Sequence, residues 1–340
     1  MKQTDFARML TRFLSDYLPG QRNVSTNTIK SYRDTFKQLL AFFNIELKVK
    51  PEHLTFNKIK VKTIRDFLQW LEKIHNVSIN TRNQRLAAIH SFYRYIQSEE
   101  PVILLECQRI LGIPFKKRER KIIDYLSQES LKHILEQPDT ATKRGRRDLT
   151  IMATLYDTGA RVQELISLKT KDIRLAKPAT IILAGKGNKK RCVPIMDKTK
   201  NLLESYMKEN HLLENGNQGH PLFYNSKSHP FTRPGITYLL AKYLRQAKES
   251  HPEILFPDYL HPHMMRHTKA MHLLESGVNL IYIRDLLGHV NVTTTEIYLR
   301  ANMEIKRKVL ESAYIPILPQ HVPVWENDGD LLSWLQELCR

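Results

Sequence analysis

Ala179-Thr180-Ile181-Ile182-Leu183-Ala184-Gly185-Lys186-Gly187-Asn188-Lys189-Lys190-Arg191-Cys192-Val193-Pro194-Ile195 is the stretch on which the fold turns. Two strand-like runs, Ala179 to Ala184 and Arg191 to Ile195, flank a turn of glycine, asparagine and lysine, which is the pattern of a β-hairpin. The rest of the chain is patterned mainly at helical period, so one hairpin implies a mainly α protein with a small antiparallel β-sheet. Lys186 stands at the tip between Gly185 and Gly187. A flexible tip lets its ammonium group reach into a groove; the plainer reading is a basic turn that meets phosphate or water.

Around the hairpin, Ser127 with Glu129 and Ser130 opens one helix, and Arg147 to Leu168 reads as a longer one. Helical patterning resumes near Lys198 and runs to about Ser312, which sets the expected bounds of a larger domain at residues 122–314. Toward the N-terminus, four amphipathic helices are expected. The first presents Phe6, Met9, Leu10, Phe13, Leu14 and Tyr17. The second follows the capping candidates Ser25 and Thr26 with Ile29, Tyr32, Phe36, Leu39, Leu40 and Phe43. A third runs from about Thr63 with Ile64, Phe67, Leu68, Leu71 and Ile74, and a fourth follows Ser78 and Asn80 with Leu86, Ile89, Phe92, Tyr93 and Ile96. Short connections make these a small bundle over residues 1–113.

Pro101 interrupts the helical pattern, a short helix follows, and Pro114 leads into Lys116, Lys117, Arg118, Glu119, Arg120 and Lys121. This basic, turn-bounded run reads as an interdomain linker over residues 114–121. It is either a solvated face or a set of phosphate contacts. At the other end, Pro316, Pro319 and Pro323 give an extended arm within residues 315–340. Leu331, Leu332, Trp334, Leu335 and Leu338 then make one short apolar helix with Asp330 placed to cap it, so short that it needs a surface to bury that face.

The chain has 340 residues, 41% hydrophobic and 26% charged, a soluble globular profile with room for two cores. No apolar run reaches the roughly 18 residues of a membrane span, and the N-terminal residues lack the apolar core of a secretion signal. A cytoplasmic location is expected. Cys107, Cys192 and Cys339 are odd in number and far apart, offering neither a disulfide framework nor a zinc pattern. Lys plus Arg number 53 against 35 Asp plus Glu, a net +18 that favours a polyanionic partner through counterion release. Nucleic acid is the commonest such partner; charge alone leaves RNA and anionic membranes open.

Three further constellations can carry chemistry. In Thr158-Gly159-Ala160-Arg161-Val162-Gln163-Glu164-Leu165, Arg161 and Glu164 are three apart and would share a helix face, as a site pair or as an ordinary surface ion pair. In His261-Pro262-His263-Met264-Met265-Arg266-His267, the same spacing turns His263 and Arg266 toward one bound phosphate, for which guanidinium offers a planar fork of donors. His263 and His267 also have the spacing of a zinc pair, but no glutamate follows the first histidine and no third ligand is near in sequence. Leu286-Leu287-Gly288-His289 is followed nine residues after His289 by Tyr298, in a segment where a lone tyrosine would ordinarily be core or surface.

Taken in order, TGARVQEL (158–165), GKGNKKR (185–191), HPHMMRHT (261–268) and LLGHVNVTTTEIY (286–298) resemble the tyrosine recombinase family of phage integrases, Xer-type resolving enzymes and transposon recombinases. The resemblance is strong from about Asp124 to Tyr298. It is looser in the helical N-terminal region, through Ser25-Thr26-Asn27-Thr28 and Tyr32. Lys269 departs from it, since many relatives carry an apolar or aromatic residue after the HxxRHT run.

The resemblance implies an N-terminal, SAM-like, core-DNA-binding domain and a catalytic domain that together form a C-shaped clamp on duplex DNA. It makes Tyr298 the nucleophile, leaving a 3′-phosphotyrosyl bond and a free 5′-hydroxyl. Arg161 and Arg266 would bind the non-bridging oxygens, Lys186 would act as general acid, His263 would share in proton transfer from Tyr298, His289 would hydrogen-bond the phosphate, and Glu164 would orient the cluster. Candidate DNA contacts are Lys116, Lys117, Arg118, Lys189, Lys190 and Arg191. No metal or other cofactor is expected: two arginines, a lysine and histidines supply positive charge themselves, and an ester exchanged for an ester needs no ATP, in keeping with the lack of a GxxxxGK[ST] loop. The implied assembly is a homo-tetramer on two DNA duplexes, with accessory proteins open and the C-terminal helix packed in cis or passed to the next protomer. Rival readings are a type IB topoisomerase-like activity and a DNA-binding regulator without catalysis.

Overall fold

Serine hydroxyls start the helices at three of the expected places. Ser25, Ser78 and Ser127 accept from the backbone N–H groups of Thr28, Thr81 and Ser130 at 3.3, 3.3 and 3.0 Å, each satisfying a donor that the first helical turn leaves open. A computed structural model describes residues 3–117, 124–185, 189–214 and 219–288. It divides into two compact units, Met1–Lys121 and Ile122–Arg340. Among the described residues no helix is long and apolar enough to cross a membrane.

In the first unit, α1 (Asp5–Arg12) continues directly into a π-helical stretch, Phe13–Gln21, that contains Pro19. Proline has no N–H to continue the α-ladder, and the Arg22 N–H closes the stretch on the Tyr17 carbonyl at 3.0 Å. Then come α2 (Thr26–Ile45), α3 (Val61–Lys73), α4 (Ile79–Glu99) and, past Pro101, α5 (Leu104–Leu111). The core is aromatic. Phe92 meets Phe6, Phe13 and Phe36 edge-on, with centroids 5.7, 5.2 and 5.0 Å apart, the geometry that ring quadrupoles favour.

The second unit holds α6 (Gln128–Glu136), α7 (Lys143–Thr158), α8 (Val162–Ile166), the strands β1 (Ile173–Arg174), β2 (Thr180–Ala184) and β3 (Lys190–Pro194), then α9 (Asp197–Glu209), α10 (Arg233–Ser250), α11 (Pro262–Glu275) and α12 (Leu280–Leu287). The sheet is antiparallel in the order β1-β2-β3, with Ile181 opposite Val193 and Ile173 opposite Ile181. Ile181, Leu183 and Val193 face inward onto the core that also takes Ile151, Met152 and Leu155 of α7 and Leu203 of α9. Full burial of such a side chain stabilises by about 1.5–3 kcal/mol, more than each net ladder hydrogen bond. The small sheet is therefore held mainly by its inner face.

Two expectations need correction. The single helix over Arg147 to Leu168 is two helices: Gly159 adopts φ +57° and ends α7 before α8 begins. The hairpin gains a third strand, β1, of only two residues.

Candidate active site

The turn between α7 and α8 is shaped by what packs on it. A Cβ on Gly159 would lie 2.7 Å from Cδ2 of Leu287, besides requiring a left-handed backbone. Past this turn Arg161 is extended (φ −71°, ψ 149°) and occupies the N-cap of α8 rather than its first turn. Glu164, three residues on, reaches back: its Oε2 accepts from the Arg161 backbone N–H and its Oε1 from Arg161 Nη1, both at 2.8 Å. The three-residue spacing is thus the carboxylate half of a capping box, not two residues on one helical face.

α11 begins in a similarly local way. His261 Nδ1 accepts from the Met264 N–H at 3.0 Å, and Pro262 takes the first helical position, where a missing N–H costs nothing. That start brings Arg266 into the interior, fully buried, where Nη1 donates to the Gly159 carbonyl at 2.7 Å and Nη2 to the Leu287 carbonyl. His263 lies one turn earlier with its ring 4.4 Å from that of His267. Its pKa is lowered, first by partial burial of the ring and then by the positive charges of Arg266, His261 and Arg161. Arg161 and Arg266 thus both bear electrostatically on His263. Among the described residues, no three His, Cys, Asp or Glu side chains are grouped to hold a metal ion.

The end of α12 ties these parts together. Its last carbonyls have no partner within the helix and carry the negative end of the helix dipole. Three consecutive ones each accept from a different arginine: Leu286 from Arg191 Nε at 2.9 Å, Leu287 from Arg266, and Gly288 from Arg161 Nη2 at 3.4 Å. Arg191 also grips Glu164 with its fork, Nη1 to Oε1 at 2.9 Å and Nη2 to Oε2 at 2.8 Å. Burial pushes the Glu164 pKa up, but the hydrogen bonds from Arg191 and the Arg161 N–H, with the charge of Arg191, outweigh it and bring the value to about 2. One carboxylate therefore binds two guanidinium groups, and three guanidinium groups hold the chain immediately before His289.

The other candidates separate by position. Lys186, His289, Tyr298, Arg118 and the arm and helix of residues 315–340 lie outside the described residues. Lys117, Lys189 and Lys190 are exposed. Lys116 is exposed but its ammonium group sits on Glu72 at 2.8 Å, while its backbone is held by Asn83 through bonds of 2.9 and 3.1 Å. Arg191, expected among the DNA contacts, instead turns inward to Glu164 and α12. Strand alternation carries that signal, because Arg191 shares a face with buried Val193; grouping it with Lys189 and Lys190 by charge hides it. Lys269, the departure from the family pattern, is paired: Nζ lies 3.2 Å from Asp157 and 5.0 Å from the Tyr156 ring centroid.

Comparison with known proteins follows the same division. The phage integrase family matches residues 124–304, and the phage integrase N-terminal SAM-like domain matches residues 10–100. A Sinorhizobium fredii protein, provisionally named integrase/recombinase y4rC, is 37% identical over 99% of both chains. The tyrosine recombinase XerC of Staphylococcus saprophyticus is 30% identical over 87% of this chain and 94% of its own. In fold, the chain is similar to the XerH site-specific recombinase bound to its difH substrate (TM-score 0.66, 24% identity, 89% of this chain and 83% of that one). It is also similar to the Tn1549 transposon integrase in complex with transposon right end DNA (TM-score 0.68, 17% identity, 89% and 98%).

Proposed function

The chain belongs to the phage integrase family and is a site-specific DNA recombinase that cleaves and rejoins DNA, and from that premise we propose that it does so through Tyr298 in a site assembled by Arg161, Arg266, Lys186, His263 and His289. One observation carries this reading: Arg161, Arg191 and Arg266 converge on the three carbonyls directly before His289, nine residues short of Tyr298. A phosphodiester bound beside this cluster meets the guanidinium groups of Arg161 and Arg266, already held in place by Glu164 and by the Gly159 carbonyl. Such donors stabilise charge developing in a transition state without reorganising.

Tyr298 Oη attacks the scissile phosphorus and forms the phosphotyrosyl ester while the bond from phosphorus to O5′ breaks. The phenolic proton passes to His263, and Lys186 gives a proton to the departing O5′. The lowered pKa of His263 keeps its imidazole neutral at pH 7 and able to accept. Arg161 and Arg266 hold the non-bridging oxygens, His289 adds a hydrogen bond, and Glu164 keeps Arg161 in place. Rejoining is the reverse step with another 5′-hydroxyl. One ester replaces another, so neither a nucleotide nor a metal enters the balance.

In this reading residues 1–113 bind core DNA, 114–121 connect, 122–314 carry catalysis, and Lys117, Arg118, Lys189 and Lys190 contact phosphates. Four protomers act on two duplexes, and the apolar helix within 315–340 passes to a neighbour. Removing residues 325–340 then leaves single-site binding intact and abolishes pairing of duplexes on native gels; pairing at the wild-type level would place that helix in cis. The catalytic assignment is tested with DNA nicked beside the cleavage site, from which the released end diffuses away. The wild type accumulates a covalent complex on a denaturing gel, with excess chelator present, and Tyr298→Phe accumulates none. A covalent band with Tyr298→Phe overturns it.

A further inference from the structure

We propose that Arg191 is a positioning residue of the recombinase site, fastening the hairpin, Glu164 and the C-terminal end of α12 through one guanidinium group. The inference rests on the reading of Arg161, Glu164 and the segment around His289 as the active site. Arg191 touches no reacting atom in it. Its role is to set where the three parts stand relative to one another.

The geometry is specific to arginine. Three nitrogens are used in two directions: the parallel Nη1 and Nη2 bonds close on both oxygens of Glu164, and Nε reaches the Leu286 carbonyl. A lysine ammonium is a point donor and cannot span both. The surroundings are shaped to this fork. A Cβ on Gly288 would stand 3.0 Å from Arg191 Cδ and 3.1 Å from Nη1, and one on Gly185 would stand 3.2 Å from Glu164 Oε1. Both glycines thus leave room for the fork and its carboxylate, and each directly precedes a proposed catalytic group in sequence, Lys186 in one case and His289 in the other. The Arg191 and Glu164 side chains are only 13% and 3% exposed, so water does not substitute for either partner.

Losing the fork frees three things together. The base of the hairpin that carries Lys186 loses its charged tie to α8 and keeps only its apolar packing. The end of α12 loses one of its three arginine donors. Among the described residues Glu164 then keeps only Arg161, so the carboxylate that orients Arg161 protonates more readily. A displacement of about 1 Å at a reacting group costs on the order of a hundredfold in rate.

The test measures single-turnover cleavage of nicked DNA, DNA affinity, thermal midpoint and the pH dependence of cleavage for Arg191→Met, Arg191→Lys, Glu164→Gln and the Arg191→Met/Glu164→Gln double variant. Expected is a cleavage rate lower by about a hundredfold in Arg191→Met with affinity within about twofold, and only partial recovery in Arg191→Lys. The acid limb of its pH profile moves toward neutrality, a change that loss of packing alone does not produce. The double variant is no slower than the slower single one, because both remove the same tether. Should Arg191→Met fail to fold, Arg191→Lys carries the test through its rate and pH profile. Cleavage at the wild-type rate, a wild-type acid limb, or multiplicative losses in the double variant overturns the proposal. Tyr298→Phe is run alongside: if it forms an adduct, the active-site reading fails, whatever Arg191 does.

Discussion

Asp157 and Glu164 are two buried carboxylates on either side of the Gly159 turn, and they are used differently. Asp157 accepts from Lys269 Nζ at 3.2 Å and from the Met196 backbone N–H at 2.9 Å. Neither bond leads to a proposed catalytic group. Glu164 holds Arg161 and Arg191, and through them the end of α12. Burial of charge therefore does not itself mark a functional site. What distinguishes Glu164 is that its two partners also bind carbonyls of the chain directly before His289.

The largest expected effect falls on the Glu164 side. Arg266→Ala or Arg161→Ala slows single-turnover cleavage by about 10²- to 10³-fold while DNA affinity changes far less, because the charge they meet is greatest in the transition state. Equal losses in affinity and rate would make them ordinary phosphate contacts. On the other side, Asp157→Asn lowers unfolding stability by roughly 3 kcal/mol, since it leaves Lys269 without its anion in a buried setting. Denaturant titration measures that loss, and cleavage by the folded fraction stays near the wild-type rate. If Asp157→Asn instead slows the chemistry as Arg161→Ala does, the contrast between the two carboxylates breaks.

pH sharpens the contrast. The Glu164 pKa is depressed from 4.5 to about 2 in the folded protein. A depressed carboxylate contributes stability that is complete above about 4.5 and is lost as pH falls toward about 2. The shift corresponds to about 3 kcal/mol. Glu164→Gln, which cannot titrate, removes this component from the difference between stabilities at pH 6 and pH 3; an unchanged difference would mean the carboxylate is not held as described. The smallest effects belong to the surface. Neutralising Lys189 and Lys190 reduces the slope of log affinity against log salt by about 0.9 for each phosphate no longer neutralised, with little change in cleavage at saturating DNA. An unaltered slope would remove both from the DNA contacts.

Much of this architecture is legible in sequence because it is local. Ser25, Ser78 and Ser127 start helices through bonds within four residues, and β2 and β3 follow from alternation about one turn. What escapes depends on distant packing. Gly159 reads as one more residue in a long helical pattern until Leu287, far along the chain, fills the space where its Cβ would stand. β1 is too short to alternate. The Arg161–Glu164 spacing is legible, but its cause is a capping bond, indistinguishable by spacing from a shared helical face. Arg191 looks like part of a basic turn because its partners, Glu164 and Leu286, lie 27 and 95 residues away.

The most direct test of covalent catalysis by Tyr298 is the identity of the residue joined to DNA. The complex trapped on nicked DNA is digested with nuclease and protease, and the modified peptide is sequenced by mass spectrometry. The expected product is a nucleotide linked through its 3′-phosphate to Tyr298. A nucleotide on any other residue, or a 5′-phosphate linkage, would contradict it.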